Sequence, residues 1–343
     1  MDLPGIPPQV PGRSAPGHPV LVVGEALVDL IPVASGPATG ELALHGRPGG
    51  SPANVAVGLA RLGVPTRFAG RFSTRGFGPW RRDLLRAEGV DVTLSVDSDR
   101  AATLATVSVD ATGAPSYEFY GPDTADWWWS RRELPEPAGL AGWTVHTGSL
   151  ATAMPPGSAV LSGWLGDVRD TGRTVVSYDP NVRPTIVGPP ERCRAAAEPY
   201  VRLAHLVKVS EEDLLHLYPG VAPLEAAEAW LAGASAGGPE LVVVTRGAAG
   251  SVALHRRAGR VTRPAPAVQV ADAVGAGDAF MSGLLAHFRS AGLLTPEALA
   301  GAGPADLAAA LQRATIVAAV TCTRPGADPP RAHEVMGPAP HLP

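Results

Sequence analysis

Along the 343-residue chain, short apolar runs alternate with stretches whose apolar positions recur at helical spacing. Val20-Leu21-Val22-Val23 is a β-branched run stopped by Gly24, the pattern of a parallel strand buried on both faces. Similar runs begin at Thr144, Thr174, His205 and Leu241. Between them, helical periodicity predicts helices over 52–62, 79–88, 157–171, 191–200, 222–234, 278–290 and 305–321. Strand and helix in alternation imply a mainly parallel sheet covered on both faces, that is, an α/β fold built as a three-layer α/β/α sandwich.

Two stretches break this rhythm. Residues 40–48 and about 98–123 read as short antiparallel strands, the second with a turn at Thr112-Gly113. A small β-structure projecting from the body would be placed to cover a site as a lid, or would be an ordinary edge hairpin. Residues 1–18 hold five prolines and three glycines and predict a disordered leader, while 331–343 predict a flexible tail. One folded domain over 19–330 remains.

The formal net charge of −4 gives no electrostatic reason for a nucleic-acid partner. No apolar run approaches the ~20 residues that cross a bilayer, and the N-terminus lacks the order of a signal peptide, so a cytoplasmic protein with no membrane partner is expected. Lys208 is the only lysine, and Cys193 and Cys322 lie far apart without the spacing of a zinc site.

Most of the chemistry lies between Val268 and Leu285. A strand-like run leads into Gly275-Ala276-Gly277-Asp278, and a helix with an apolar face follows. Two glycines let successive backbone N–H groups point at a ligand, and the helix start adds partial positive charge, which suits phosphate. Asp278 repels such a ligand unless it has another task. It is either a base that takes the proton of a hydroxyl nucleophile or an N-cap of the first turn, and the loop alone leaves both open. The chain has no Gly-x4-Gly-Lys-Ser/Thr, and Gly-x-Gly-x-x-Gly does not follow the first strand, which disfavours P-loop and Rossmann sites.

A second signature selects between the readings. Pro48-Gly49-Gly50-Ser51-Pro52-Ala53-Asn54, continuing to Gly63, and Asp272-Ala273-Val274-Gly275-Ala276-Gly277-Asp278-Ala279-Phe280 resemble the two signatures of the PfkB-type carbohydrate kinases. This is the ribokinase-like family, and the likeness is nearest to fructokinases. Ala273-Val274 departs mildly from the usual Thr-Thr or Thr-Val. The resemblance runs from about Val20 to Pro330 and implies an ATP-dependent sugar kinase with a ribokinase-like sandwich and a small β lid. It makes Asp278 the base and Gly275, Ala276 and Gly277 an anion hole completed by the Asp278 N–H. Asp29, Gly49, Gly50 and Asn54 would hold the sugar, with Tyr117 and Phe119 pressing on it from the lid.

Asp179-Pro180-Asn181-Val182-Arg183-Pro184 resembles the Asp-Pro-Asn-x-Arg element of fructokinases and 2-keto-3-deoxygluconate kinases. There Asn181 and Arg183 would face phosphate and substrate. Lys208 and Ser210 would lie on the nucleotide side. Ser210-x-x-Asp213 is the best register for the family's Mg²⁺-organising element, with Glu211 and Glu212 as alternatives. Thr245 and Gly247 match the nucleotide loop, and Cys322 falls in a segment expected to line the adenine pocket. A K⁺-like ion, optional in the family, would take carbonyls of Asp272, Val274, Thr321, Arg324 and Gly326. Trp127-Trp128-Trp129 reads as core or as a dimer contact, and a homodimer through the lid is the default. Fructose, giving fructose 6-phosphate, is the leading acceptor. 2-Keto-3-deoxygluconate, another sugar or a nucleoside, and a non-catalytic sugar-binding regulator are the rival readings.

Overall fold

A computed structural model describes residues 18–33, 42–109, 115–121, 123–233 and 237–335. Its centre is an eight-stranded sheet. In spatial order the strands are Gly259–Arg263, Ser251–His255, Leu241–Thr245, Leu206–Ser210, Val175–Asp179, Thr144–Gly148, Val20–Val23 and Thr66–Ala69. The Ser251–His255 strand pairs antiparallel with both its neighbours, and every other pairing is parallel.

Alternation along these buried strands builds two cores. Val20 and Val22 face one layer and share its core with Leu284, Phe288 and Leu311, while Leu21 and Val23 face the other, whose core includes Leu161, Trp164 and Leu165. Val175 and Val176 divide in the same way, as do Leu206 and Val207. Near-continuous apolar runs are therefore required, because both faces of each strand leave water. The expected α/β/α sandwich is what forms.

The predicted helices appear at Ser51–Arg61, Phe77–Ala87, Gly157–Asp170, Pro190–Leu203, Pro223–Ala232, Ala276–Ser290 and Pro304–Cys322. The last is long and apolar enough, with mean hydropathy 1.3 over its best window, to cross a membrane by length and composition alone. Here it is a core helix: Leu307, Leu311, Ala314 and Val317 are at most 1% exposed.

Three differences from the sequence reading have physical causes. The run from Val268 is not a strand, because the N–H groups of Ala271 and Asp272 both turn to the Cys322 carbonyl at 2.8 and 3.2 Å. The Gly259–Arg263 strand, mostly polar, is a half-exposed sheet edge that no buried run announces. Ala332–Val335 forms a helical turn with Val335 buried, so ordered chain continues into the expected tail.

The projecting β-structure is a second sheet of four strands: Leu44–Pro48, Val28–Pro32, Leu104–Val109 and Pro115–Tyr120. Sequence reading missed Val28–Pro32, which bridges the two expected segments by pairing antiparallel with one and parallel with the other. The expected turn at Thr112-Gly113 and residues 1–17 lie outside the described residues.

Candidate active site

Several loops converge at the carboxyl edge of the main sheet, where α/β sheets place ligands. At the start of the Ala276–Ser290 helix, Gly275 adopts φ 75°, and a Cβ there would approach the Ala327 Cβ to 2.5 Å. The Ala276 N–H returns to the Ala273 carbonyl at 3.2 Å, and the Ala279 N–H bonds Gly275 at 2.8 Å. Of the three N–H groups expected in the anion hole, Ala276 is thus committed to its own turn. The N–H groups of Gly277 and Asp278 have no acceptor among the described residues and carry the positive end of the helix dipole.

Asp278 does not cap its helix. Its carboxylate, in a side chain only 7% exposed, accepts from Ser51 Oγ at 2.6 Å and from Asn54 Nδ2 at 2.9 Å. The N-cap alternative is thereby excluded. Burial raises the Asp278 pKa above its ordinary value, opposed by the Ser51 and Asn54 hydrogen bonds and the charges of Lys208 and Arg183. Asn54, expected on the sugar, spends one of its two amide donors on the carboxylate and still lines the cleft.

Lys208 stands against the same turn. Its Nζ is 2.8 Å from Asp179 Oδ2, and a Cβ on Gly277 would lie 2.8 Å from that ammonium. Glycine at 277 keeps the space open. Burial opposes the Lys208 charge, but Asp179, Asp213 and Asp278 outweigh it and hold the pKa above its usual value. Burial pushes Asp179 up to about 6, and the Lys208 charge and hydrogen bond oppose that rise.

Asp179 also shapes the loop that follows it. Its Oδ1 accepts the Asn181 N–H at 3.2 Å, and Asn181 sits at φ 39°, a left-handed conformation unusual outside glycine. The Val182 N–H donates to Asp213 Oδ1 at 3.0 Å. Arg183 is exposed, yet its charge reaches both Asp29 and Asp278 and partly offsets the rise that burial gives the pKa of each.

Among the three acidic candidates for Mg²⁺, Asp213 is the buried one that faces this loop, and it forms a capping box with Ser210. Glu211 pairs with Arg246 at 3.3 Å, and Glu212 points to solvent. Among the described residues no group of three His, Cys, Asp or Glu forms a direct metal cage. The donor set therefore fits a hard cation reached through water and phosphate oxygens rather than one enclosed by protein. Thr245 ends its strand beside Ser210, and Gly247 begins the next turn at φ 52°.

The segments of the expected monovalent-cation loop are joined by Asp272, whose carboxylate accepts the N–H groups of Val274 at 3.0 Å and Gly326 at 2.7 Å. Thr321 is fully buried and Arg324 is paired with Glu334 and Asp328. The two turns that carry the expected carbonyls therefore adjoin. Cys322, placed by sequence in the adenine lining, contributes its carbonyl to this join.

On the other side, Asp29 lies in the small sheet directly opposite Arg47. A Cβ on Gly49 would come within 2.5 Å of Asp29 Oδ2, and Gly50 starts the Ser51–Arg61 helix at φ 95°. Burial raises the Asp29 pKa, with Arg81 and Arg183 opposing it. A cleft of about 360 Å³ is lined by Asp29, Arg47, Asn54, Arg81, Val274 and Gly326 among others.

Phe119 is not part of that lining. Its ring centroid is 6.0 Å from that of Trp127, in a cluster with Leu27 and Leu150, because a buried indole is the nearer apolar partner. The Tyr117 side chain lies outside the described residues. Trp127 and Trp129, at 2% and 4% exposure, are core, while Trp128 is half-buried beneath the Arg100 guanidinium.

Sequence reading missed Ser51, although it stands inside the quoted motif, and Arg81, for which the chain carries no local signal. It also missed Glu25, buried beneath Gly50 and pushed up to about 7 by burial.

Known proteins resemble this chain in sequence and in fold. Residues 18–333 match the pfkB family carbohydrate kinase domain. The chain is 36% identical over 299 residues to a fructokinase of Klebsiella pneumoniae, covering 85% of this chain and 90% of that one. It is similar to the structure of fructokinase with bound ATP from Xylella fastidiosa, at 29% identity and a TM-score of 0.78, covering 90% and 93% of the two chains. It is also similar to a double mutant of fructokinase from Vibrio cholerae O395 bound to fructose, ADP and a potassium ion, at 29% identity and a TM-score of 0.77, covering 96% and 97%. A chain with both glycine-started turns, the buried aspartate they share and this domain match belongs to the pfkB family of carbohydrate kinases.

Proposed function

We propose that this protein transfers the γ-phosphoryl group of ATP to the primary hydroxyl of fructose, giving fructose 6-phosphate. The observation that carries the reading is Asp278. A buried carboxylate held by Ser51 and Asn54 stands one residue from the free Gly277 N–H and beside Lys208. It has no capping task, and it can take the hydroxyl proton as the oxygen attacks phosphorus. The N–H groups of Gly277 and Asp278, with Lys208, would hold charge on the transferring phosphoryl. Arg183, exposed and electrostatically coupled to both Asp29 and Asp278, would close on the same group.

Asp29 and the Gly49–Gly50 turn would take the sugar hydroxyls. Mg²⁺ bound with the nucleotide would neutralise phosphate charge, with Asp213 holding its water shell. The carbonyls near Asp272 and Gly326 would take a K⁺-like ion, and the relative from Vibrio cholerae bound to a potassium ion supports this. The small sheet would exclude water as a lid. Exposed Leu44 and Tyr120 on it, with exposed Leu42 just before it, favour a homodimer through that sheet.

ADP release coupled to a panel of sugars with Mg-ATP tests the assignment. Fructose is expected to give the highest kcat/KM, with phosphorus NMR placing the new ester on O6. Turnover confined to 2-keto-3-deoxygluconate or a nucleoside would replace fructose, and no turnover on any sugar would favour a binding regulator.

A further inference from the structure

Arg81 belongs to neither signature, yet it is 2% exposed and lies at the sugar side of the site. A guanidinium carries five N–H donors in a planar fork. Here the fork is locked: Nε donates to the Leu27 carbonyl at 3.1 Å and Nη2 to the Gly49 carbonyl at 2.9 Å. These carbonyls belong to the two segments that bear Asp29 and the Gly49–Gly50 turn, and the Gly49 N–H also bonds Leu27 at 2.9 Å. Nη1 has no hydrogen-bond partner among the described residues. Asp126, a buried acid whose charge acts on Arg81, is committed elsewhere, to the Ala26 N–H at 3.0 Å and the Thr103 hydroxyl at 2.5 Å.

The one Arg81 nitrogen without a partner among the described residues is therefore left to a group that enters the cleft Arg81 lines, where a charged donor gains most from an acceptor. Arg81 lines the cleft together with Asp29 and Asn54. We infer that Arg81 is a substrate-specificity residue whose Nη1 donates to an acceptor oxygen of the bound sugar, beside the hydroxyls taken by Asp29. Asp29 can only accept when ionised, and the locked guanidinium can only donate. The two together read a hydroxyl pattern in which one oxygen gives its hydrogen to the acid and a neighbouring oxygen receives one from the arginine. Because Arg81 is fixed by main-chain carbonyls, that donor is oriented before the sugar arrives, so little conformational freedom is lost on binding.

This inference rests on the sugar-kinase reading, and the test separates the two. Wild type, Arg81→Met and Arg81→Lys are assayed with Mg-ATP on fructose and on a series of singly deoxygenated fructoses, with nucleotide affinity measured by titration as a check of folding. If wild type phosphorylates no sugar, the functional reading fails before Arg81 is in question. A donated, charge-assisted hydrogen bond predicts that Arg81→Met lowers kcat/KM for fructose by about 10- to 100-fold, through KM for sugar rather than for ATP. The penalty should vanish for the one deoxy sugar that lacks the partner oxygen. Arg81→Lys should retain nucleotide affinity but recover only part of the loss, since an ammonium cannot hold both carbonyls and the sugar. An equal loss on fructose and every deoxy analogue would make Arg81 purely structural, and an unchanged kcat/KM would also overturn the inference.

Discussion

The helices Ser51–Arg61 and Ala276–Ser290 begin alike and do different work. Each starts from a glycine at positive φ, Gly50 at 95° and Gly275 at 75°, and neither has a side-chain cap. The first turn of one holds no acid, and the first turn of the other holds Asp278. The acid is satisfied across the gap, by Ser51 and Asn54 of the facing helix. One helix start thus keeps two N–H groups free for an anion, while the other spends its side chains on holding a base in place. The lesson is that an aspartate in a first helical turn is identified by where its oxygens point.

The most severe way to break this comparison is to remove the base and keep its shape. Asp278→Asn is expected to cut kcat by about 10²- to 10⁴-fold. Sugar and nucleotide affinity should change little, which titration of each ligand would check. Near-normal turnover would return Asp278 to a structural role.

Removing support from the opposite helix should act more gently. Ser51→Ala deletes the strongest of the bonds that hold the Asp278 pKa down, so that pKa should rise further. The base is active when ionised, and activity is lost as pH falls through its pKa. The acid limb of the kcat profile should therefore move up by about one pH unit, since a hydrogen bond to a charged group is worth roughly 1.5 kcal/mol or more. A pH–rate profile that does not move would assign the limb to another group.

The smallest effect concerns what lies under Gly50. A Cβ there would meet the Glu25 carbonyl at 2.7 Å, and the Glu25 side chain is 1% exposed and accepts the Ala151 N–H at 3.0 Å. Its pKa is about 7 when folded against 4.5 as reference. Between those values the folded chain keeps a proton that the unfolded chain has lost, so this group's contribution is most favourable below 4.5 and declines until about pH 7. The total is about 3 kcal/mol. Relative to wild type, Glu25→Gln should gain stability over that window, by about 4 °C in Tm at the upper end. Parallel stability curves for the two proteins would show that Glu25 does not titrate this way.

The layered fold was legible because burial on both faces leaves a mark in the chain. Val20–Val23 and Leu241–Thr245 are apolar at almost every position, and only a strand between two helical layers requires that. Val28–Pro32 was not legible, since a half-exposed strand of the small sheet has mixed residues and is defined by its partners. Phe119 shows the same limit: an aromatic residue near a site reads as a ligand contact until its neighbour Trp127 is known.

By itself the sequence determined the sandwich and the two glycine-rich turns, because periodicity and tight turns are local requirements, and it marked Asp278 as base or cap. Only the tertiary structure decided that Ser51 and Asn54 hold Asp278, that Lys208 pairs with Asp179 against Gly277, and that Arg81 locks the Leu27 and Gly49 carbonyls. Those contacts join positions from 29 to 227 residues apart. Their worth depends on burial, which no stretch of sequence reports until the chain has closed around it.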